Sequence, residues 1–416
     1  MLFKSAFIPS SIALILAASS AVAIQGQAGA APIITPNGAD VIENRYIVVL
    51  KDTATTGQID KHHRRVRRAL SREGDELEGL LSAQGKVDHV FDSDGFNGYA
   101  GHFSKQVIEK IRKDPVVDFI ERDSKIRVLA VQKNAPWGLA RISHRPKLNS
   151  VTKDKYLYNP KALGQGTTVY VVDTGINVNH QEFEGRASVG KTFTKDGPED
   201  GFKHGTHVAG IVAGKTYGVA KKAKIVSVKV LDNEGNGTYA DLIAALQWVQ
   251  SDAKNKIGKA IVNLSLGGKK SESVNKMVET SIHSGLIVVA AAGNYFDDAC
   301  DYSPASAKGV ITVAASNIND KISAISNYGN CTTLIAPGED IPSAWPDSNN
   351  ATSSETGTSM AAPHVSGVIA GFISSGKPLN HEQAKKLVLK GTTNGVVGNL
   401  DQATPNRLLF NNPPKF

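Results

Sequence analysis

Val169-Tyr170-Val171-Val172-Asp173-Thr174-Gly175 is the stretch on which the reading of this chain turns. Four consecutive apolar residues form a strand with no polar face, and such a strand belongs in a parallel sheet covered by helices on both sides. Outward from it, the chain keeps one rhythm. Strand-like runs at Ile225–Val230, Ile261–Leu266, Leu286–Ala291 and Val310–Ala315 are separated by helical stretches at 239–252 and 271–283. That alternation implies right-handed crossovers and an α/β fold, a mostly parallel β-sheet flanked by helices. Ligands of such sheets bind beyond the carboxyl ends of the strands, and Asp173 falls at one of those ends.

Composition agrees. The 416 residues are 41% hydrophobic and 21% charged, which excludes disorder as the main state. The net charge of +8 is mild, and the Lys residues are scattered apart from Lys221, Lys222 and Lys224. Without a basic stripe and interleaved aromatics, nucleic acid is excluded as a partner. No internal apolar run reaches the ~18 residues of a membrane span.

Upstream of the α/β region the grammar differs. Lys4, the apolar Ile12-Ala13-Leu14-Ile15-Leu16 and Ala21-Val22-Ala23 make a secretory signal peptide over 1–23. Residues 24–44, with Pro32 and Pro36, read as loose. From 45 to about 123 a compact pattern follows. Strands at Tyr46–Leu50, Val87–Phe91, Tyr99–Phe103 and Val116–Ile120 alternate with helices at 58–82 (Leu70, Leu77, Leu80, Leu81 apolar) and 105–113. The order β-α-β-β-α-β indicates a small α+β ferredoxin-like domain, and 121–133 reads as an extended link. The domains expected are therefore 1–23, 24–129 and 130–416. Export permits a disulfide, and Cys300 and Cys331 could close a loop worth about 3–4 kcal/mol. Spacing alone does not show that they meet.

Three segments carry chemistry. Asp173 follows the buried strand, although a turn or capping aspartate is common there. His204-Gly205-Thr206-His207 offers an imidazole at a helix start. A zinc site using His204, His207 and Asp200 is disfavoured, because no HExxH pattern or further His or Cys accompanies them. Gly357-Thr358-Ser359-Met360-Ala361-Ala362-Pro363-His364 opens a small-residue helix with a serine in its positive N-terminal field. No G-x-S-x-G elbow of an α/β-hydrolase esterase occurs. The order is Asp, His, Ser.

With Ser265-Leu266-Gly267-Gly268 and Ala291-Ala292-Gly293-Asn294, these segments resemble the subtilisin-like serine proteases, in particular their secreted fungal, proteinase K-like branch. Asn134–Ile142 is similar to the start of the mature enzyme in that branch, and the 45–123 domain resembles the family's inhibitory propeptide. The resemblance implies Asp173, His204 and Ser359 as the catalytic triad of a self-processing zymogen acting through an acyl-enzyme, the type case of this chain order. It implies Asn294 and the Ser359 backbone N–H as oxyanion donors. Ser265, Leu266 and Gly267 would form one edge of the substrate cleft, and Gly235, Gly237 and Tyr239 the other. Ala291, Ala292 and Gly293 would border an uncharged primary pocket, giving broad cleavage after apolar and aromatic residues.

The propeptide, cut near 129/130, is expected to inhibit the enzyme until removed. Protein and peptide substrates, a monomer and an extracellular destination (vacuolar as the alternative) complete the expectation. The Cys300–Cys331 spacing matches a disulfide of several relatives. Sequons fall at Asn330, Asn350 and Asn236, and a fourth at Asn263 lies in a buried strand. No cofactor is required on this reading. The relatives' calcium site would use the carbonyls of Lys308 and Val310, but Thr333 stands where they carry an acid, and a hard divalent ion binds weakly without its carboxylate. Lys203 also departs from the family, which has glycine before the histidine. A non-catalytic binding protein that kept the fold is the alternative from another class, and the full set of catalytic groups weighs against it.

Overall fold

A computed structural model describes residues 29–36, 41–76, 85–93, 95–125 and 130–411. The signal-like stretch 1–23, the apolar positions Leu77, Leu80 and Leu81, and Leu129 on one side of the expected cleavage lie outside the described residues. The chain divides into two compact units between Arg127 and Val128.

In the first unit the helices Thr56–Glu76 and Lys105–Ile111 accompany a five-stranded sheet. Its strand order is Ile33–Ile34, Val117–Ser124, Val41–Leu50, Phe96–His102, Lys86–Ser93. Without the first short strand this is the ferredoxin-like arrangement. Apolar side chains on alternate strand positions, Tyr46, Val48 and Leu50, bury against Val107, Ile108 and Ile111. Two expectations are corrected here. Part of the stretch read as loose is ordered, because Ile33 and Ile34 pair in parallel with Ile120 and Glu121. The strand read as ending at Ile120 runs on to Ser124, since its partner strand begins at Val41 and still offers a backbone edge.

The second unit is built on nine strands. In order they are Thr393–Asn394, Arg407–Leu408, Leu334–Pro337, Ile311–Ser316, Ile287–Ala291, Ala260–Leu264, Thr168–Asp173, Lys224–Lys229 and Ala187–Thr192. All neighbours pair in parallel except the outermost two. The Thr168–Asp173 strand is buried throughout. Val169 and Val171 face a core shared with the helices His204–Ala213 and Thr358–Ser375, whereas Tyr170 and Val172 face the helices Tyr239–Asp252 and Glu272–His283. The residues before the unit's first helix are also more than a link: Ala130–Gln132 forms an antiparallel pair with Tyr156–Tyr158.

Chain order places the site. From Thr168–Asp173 the chain turns first to one side of the sheet (Lys224–Lys229) and later crosses to the other (Ala260–Leu264). The crevice between those departures is the topological switch point, where α/β sheets receive ligands. Asn263 pairs with Val171, so two residues further on Ser265 and Asp173 leave the sheet side by side.

Candidate active site

Asp173 ends its strand with no exposed surface. Its Oδ1 accepts the Thr174 backbone N–H at 2.8 Å and faces His204 Nδ1 at 2.7 Å. The imidazole reaches this position because the His204–Ala213 helix starts almost in contact with the strand end. A Cβ on Gly205 would stand 2.2 Å from the Gly175 carbonyl oxygen and 3.1 Å from Asp173 Cβ, so only glycine follows the histidine here. Burial alone would depress the His204 pKa. The Asp173 charge and hydrogen bond outweigh burial, Asp200 and Glu355 add to them, and the imidazole is held above its usual 6.5.

A second carboxylate fixes the start of that helix. Asp200, buried, accepts the Lys203 and Thr206 backbone N–H groups and the hydroxyls of Thr174 and Thr206, at 2.6–2.8 Å. Thr174 in turn accepts the Gly205 N–H at 2.9 Å. Burial raises the Asp200 pKa, its hydrogen bonds to Thr174 and Thr206 oppose the rise, and the neighbouring Asp173 charge adds to it. Lys203 occupies the left-handed region at φ 81° and pairs its ammonium with Asp347 at 2.7 Å. His207 takes no part in the pair with Asp173. It is buried against Trp345 with Nε2 3.2 Å from the Ser353 carbonyl oxygen, and burial brings its pKa down to about 4.

Ser359 is the second residue of the Thr358–Ser375 helix. Its hydroxyl donates to the Ser265 carbonyl at 3.0 Å, and the Ser265 hydroxyl donates to the Ser359 carbonyl at 2.8 Å. Among the described residues the partner of Ser359 Oγ is thus Ser265 and not the His204 imidazole. Resting hydrogen bonds of catalytic groups are often not the productive ones.

Asn294 and Ser359 line the same cavity, of about 240 Å³. Asn294 Oδ1 accepts both the backbone N–H and the hydroxyl of Thr358, at 2.8 and 2.9 Å. This leaves Nδ2 as the free end, above the turn before Ser359; a Cβ on Gly357 would come within 3.0 Å of it. The cavity also gathers Leu266, Gly267, Ala291, Ala292 and Gly293, and none of its lining residues is charged. Tyr295 and Tyr302, stacked at 5.0 Å, extend it, and Thr358 anchors its amide. These three escaped the sequence reading; only the Tyr295 side chain's position directly after Asn294 was a usable signal. Gly235 and Gly237 do not line this cavity: a Cβ on Gly235 would meet the Phe202 ring and one on Gly237 the Val230 carbonyl. Tyr239 donates to the Lys269 carbonyl at 2.6 Å, two residues beyond Gly267. A larger concavity, about 600 Å³, is lined by Thr168, Lys224 and Lys259 at the opposite ends of the strands and contains none of Asp173, His204 and Ser359.

Cys300 and Cys331 are bonded, with Cα atoms 5.3 Å apart. Asn330, Asn350 and Asn236 are exposed, whereas Asn263 is fully buried. The place expected for calcium does not fit a divalent ion. Lys385 donates its ammonium to the carbonyls of Gly309 (3.0 Å) and Val310 (3.4 Å), and Thr333 Oγ1 reaches Val310 as well. Among the described residues no group of three or more His, Cys, Asp or Glu side chains could hold a metal ion.

Comparison with known proteins agrees with this architecture. Residues 164–407 match the subtilase family (peptidase S8), and residues 45–129 match peptidase inhibitor I9. The chain is 41% identical to alkaline protease 2 of Aspergillus fumigatus over 96% of its own length and 87% of the relative's. It is 39% identical to subtilisin-like serine protease Pen c 2 of Penicillium citrinum, over 95% and 94%. It also superposes on the crystal structure of a cold-adapted subtilisin-like serine proteinase with a TM-score of 0.63 and 39% identity, covering 67% of this chain and 98% of that one.

Proposed function

The chain belongs to the subtilase family of serine proteases and carries an I9 inhibitor domain, and on that premise we propose that it is a secreted endopeptidase of broad specificity, made as a self-processing zymogen. The observation that carries the reading is the Asp173–His204 contact at 2.7 Å, beside a strand end shared with Ser265, to which Ser359 is bound.

In the reaction, Ser359 Oγ turns from the Ser265 carbonyl to His204, which takes its proton as Oγ attacks the substrate carbonyl carbon. The imidazolium that forms is stabilised by Asp173. Asn294 Nδ2 and the Ser359 backbone N–H receive the oxyanion. Collapse breaks the peptide C–N bond, and His204 protonates the leaving amine. Water then attacks the acyl-enzyme with His204 again as base, releasing the acid and free Ser359. The uncharged cavity supports cleavage after apolar and aromatic residues; extended substrate would lie along Ser265-Leu266-Gly267, with Gly235, Gly237 and Tyr239 opposite.

The I9 domain would act as the chain's own inhibitor until cleavage near 129/130. The disulfide and the signal-like first 23 residues support export, with Asn330 and Asn350 as sites for glycans and Asn236 a third. Calcium is not needed at the 308–310 turn, because Lys385 already supplies a cation there.

Expression of the wild type beside Ser359→Ala in a protease-free system tests the reading. The wild type takes one fluorophosphonate at Ser359 and sheds about 100 residues beyond the signal, while the variant takes none and keeps precursor length. Absence of label from a folded wild type overturns the assignment as an enzyme; identical trimming of both overturns self-processing.

A further inference from the structure

A buried amide in the strand next to Asp173 has no part in the chemistry described so far. Asn263 lies in Ala260–Leu264, a strand buried at every position. A polar side chain in such a place costs stability unless its groups are paired. Asn263 Nδ2 donates to Ser265 Oγ at 2.9 Å, and Asn263 Oδ1 accepts the Ser366 hydroxyl at 2.8 Å.

The direction of this chain of bonds is dictated by chemistry. Ser265 spends its one proton on the Ser359 carbonyl, which can only accept. Ser265 Oγ must therefore receive from Asn263, and Ser366 must give to it. All three bonds point the same way, from Ser366 through Asn263 and Ser265 to Ser359, so each polarises the next.

The need for the last bond is written in the helix. The Ser359 carbonyl would ordinarily accept the N–H four residues on. That residue is Pro363, which has no N–H and whose ring crowds the same carbonyl. Ser265 supplies the missing donor. Ser366, two turns beyond Ser359, is held by the other end of Asn263, so the helix is pinned to the strand at two points on one face.

We infer that Asn263 is a positioning residue for the nucleophile. By orienting the Ser265 hydroxyl toward the carbonyl that Pro363 leaves without a partner, and by holding Ser366, it sets the rotation and height of the helix that presents Ser359 Oγ. The inference rests on the proposed role of Ser359.

Active-site-titrated kinetics of Asn263→Ala and of Asn263→Ala/Pro363→Ala test it, since Pro363→Ala returns a backbone donor to the Ser359 carbonyl. The expected result is a kcat about 10- to 100-fold lower for the single variant, with KM within about twofold and the rate of fluorophosphonate labelling reduced in step. The double variant recovers a substantial part of the loss. A titrated Asn263→Ala with unchanged kcat, or a double variant no better than the single, overturns the inference. If Asn263→Ala yields no soluble protein, Ser265→Ala with and without Pro363→Ala, a change of one oxygen atom, carries the same comparison. A wild type that takes no label overturns the reading of the site; a wild type and Asn263→Ala that label equally fast overturn this inference alone.

Discussion

Asn294 and Thr358 are bonded twice through one atom: Asn294 Oδ1 accepts both the N–H and the hydroxyl of Thr358. The amide is thereby fixed through its oxygen, on a residue that lines the same cavity as Ser359. Asn294→Leu should lower kcat about 10²–10³-fold, the loss known for the corresponding donor of a subtilisin, with little change in KM. Thr358→Val removes only one of the two anchors and should cost less. Steady-state kinetics on a chromogenic peptide check both, and an unaltered kcat in Asn294→Leu would remove the oxyanion role.

Acid should switch the enzyme off through His204. The base must be neutral, and its pKa lies above 6.5 because Asp173 outweighs burial. The acid limb of kcat/KM should therefore have its midpoint above 6.5. Glu355→Gln, which removes one contributing charge, should move that midpoint down. Asp173→Asn should cost about 10⁴ in kcat by presenting the wrong tautomer. A limb centred well below 6.5 would contradict this electrostatic account.

Stability should respond to acid in its own way. Burial holds His207 and His364 neutral, with pKa values of about 4. The unfolded chain binds protons at both from about 6.5 downward while the folded state does not. Their contribution is thus intact above 6.5 and is lost as pH falls toward 4, each by up to about 1.4 kcal/mol per pH unit. Urea unfolding of sulfonyl fluoride-inhibited enzyme at pH 4.5–7 measures the slope, and His364→Gln should flatten it. A slope unaffected by that substitution would assign the acid sensitivity to other groups.

Lys385 should matter where calcium does not. Lys385→Met removes two charge-assisted hydrogen bonds to the 309–310 carbonyls and should cost about 1.5–3 kcal/mol. The wild-type melting temperature should be the same in calcium and in EDTA. If EDTA lowers it while Lys385→Met leaves it alone, a divalent ion rather than the ammonium braces this turn.

Much of this was legible in the chain. The fully apolar run before Asp173 called for a two-faced parallel sheet, and the helix expected at 239–252 spans Tyr239–Asp252. The motifs around Asp173, His204 and Ser359 are local and chemically distinctive, as is the small-residue lining of the cavity. Strand ends in the first unit were less legible, because where pairing stops depends on a partner strand far away in sequence.

What the amino-acid order determined by itself was periodicity, turn chemistry and the kinds of groups at strand ends, all set by near neighbours along the backbone. Folding alone decided the partners: Ser359 with Ser265, 94 residues apart, and Lys385 with Gly309 and Val310, more than 70 apart. A lysine on a helix reads as solvated and an asparagine in a strand reads as misplaced until the burial around each is known. Hydrogen bonds between distant segments leave no mark on local propensity, since their strength depends on the water that packing removes.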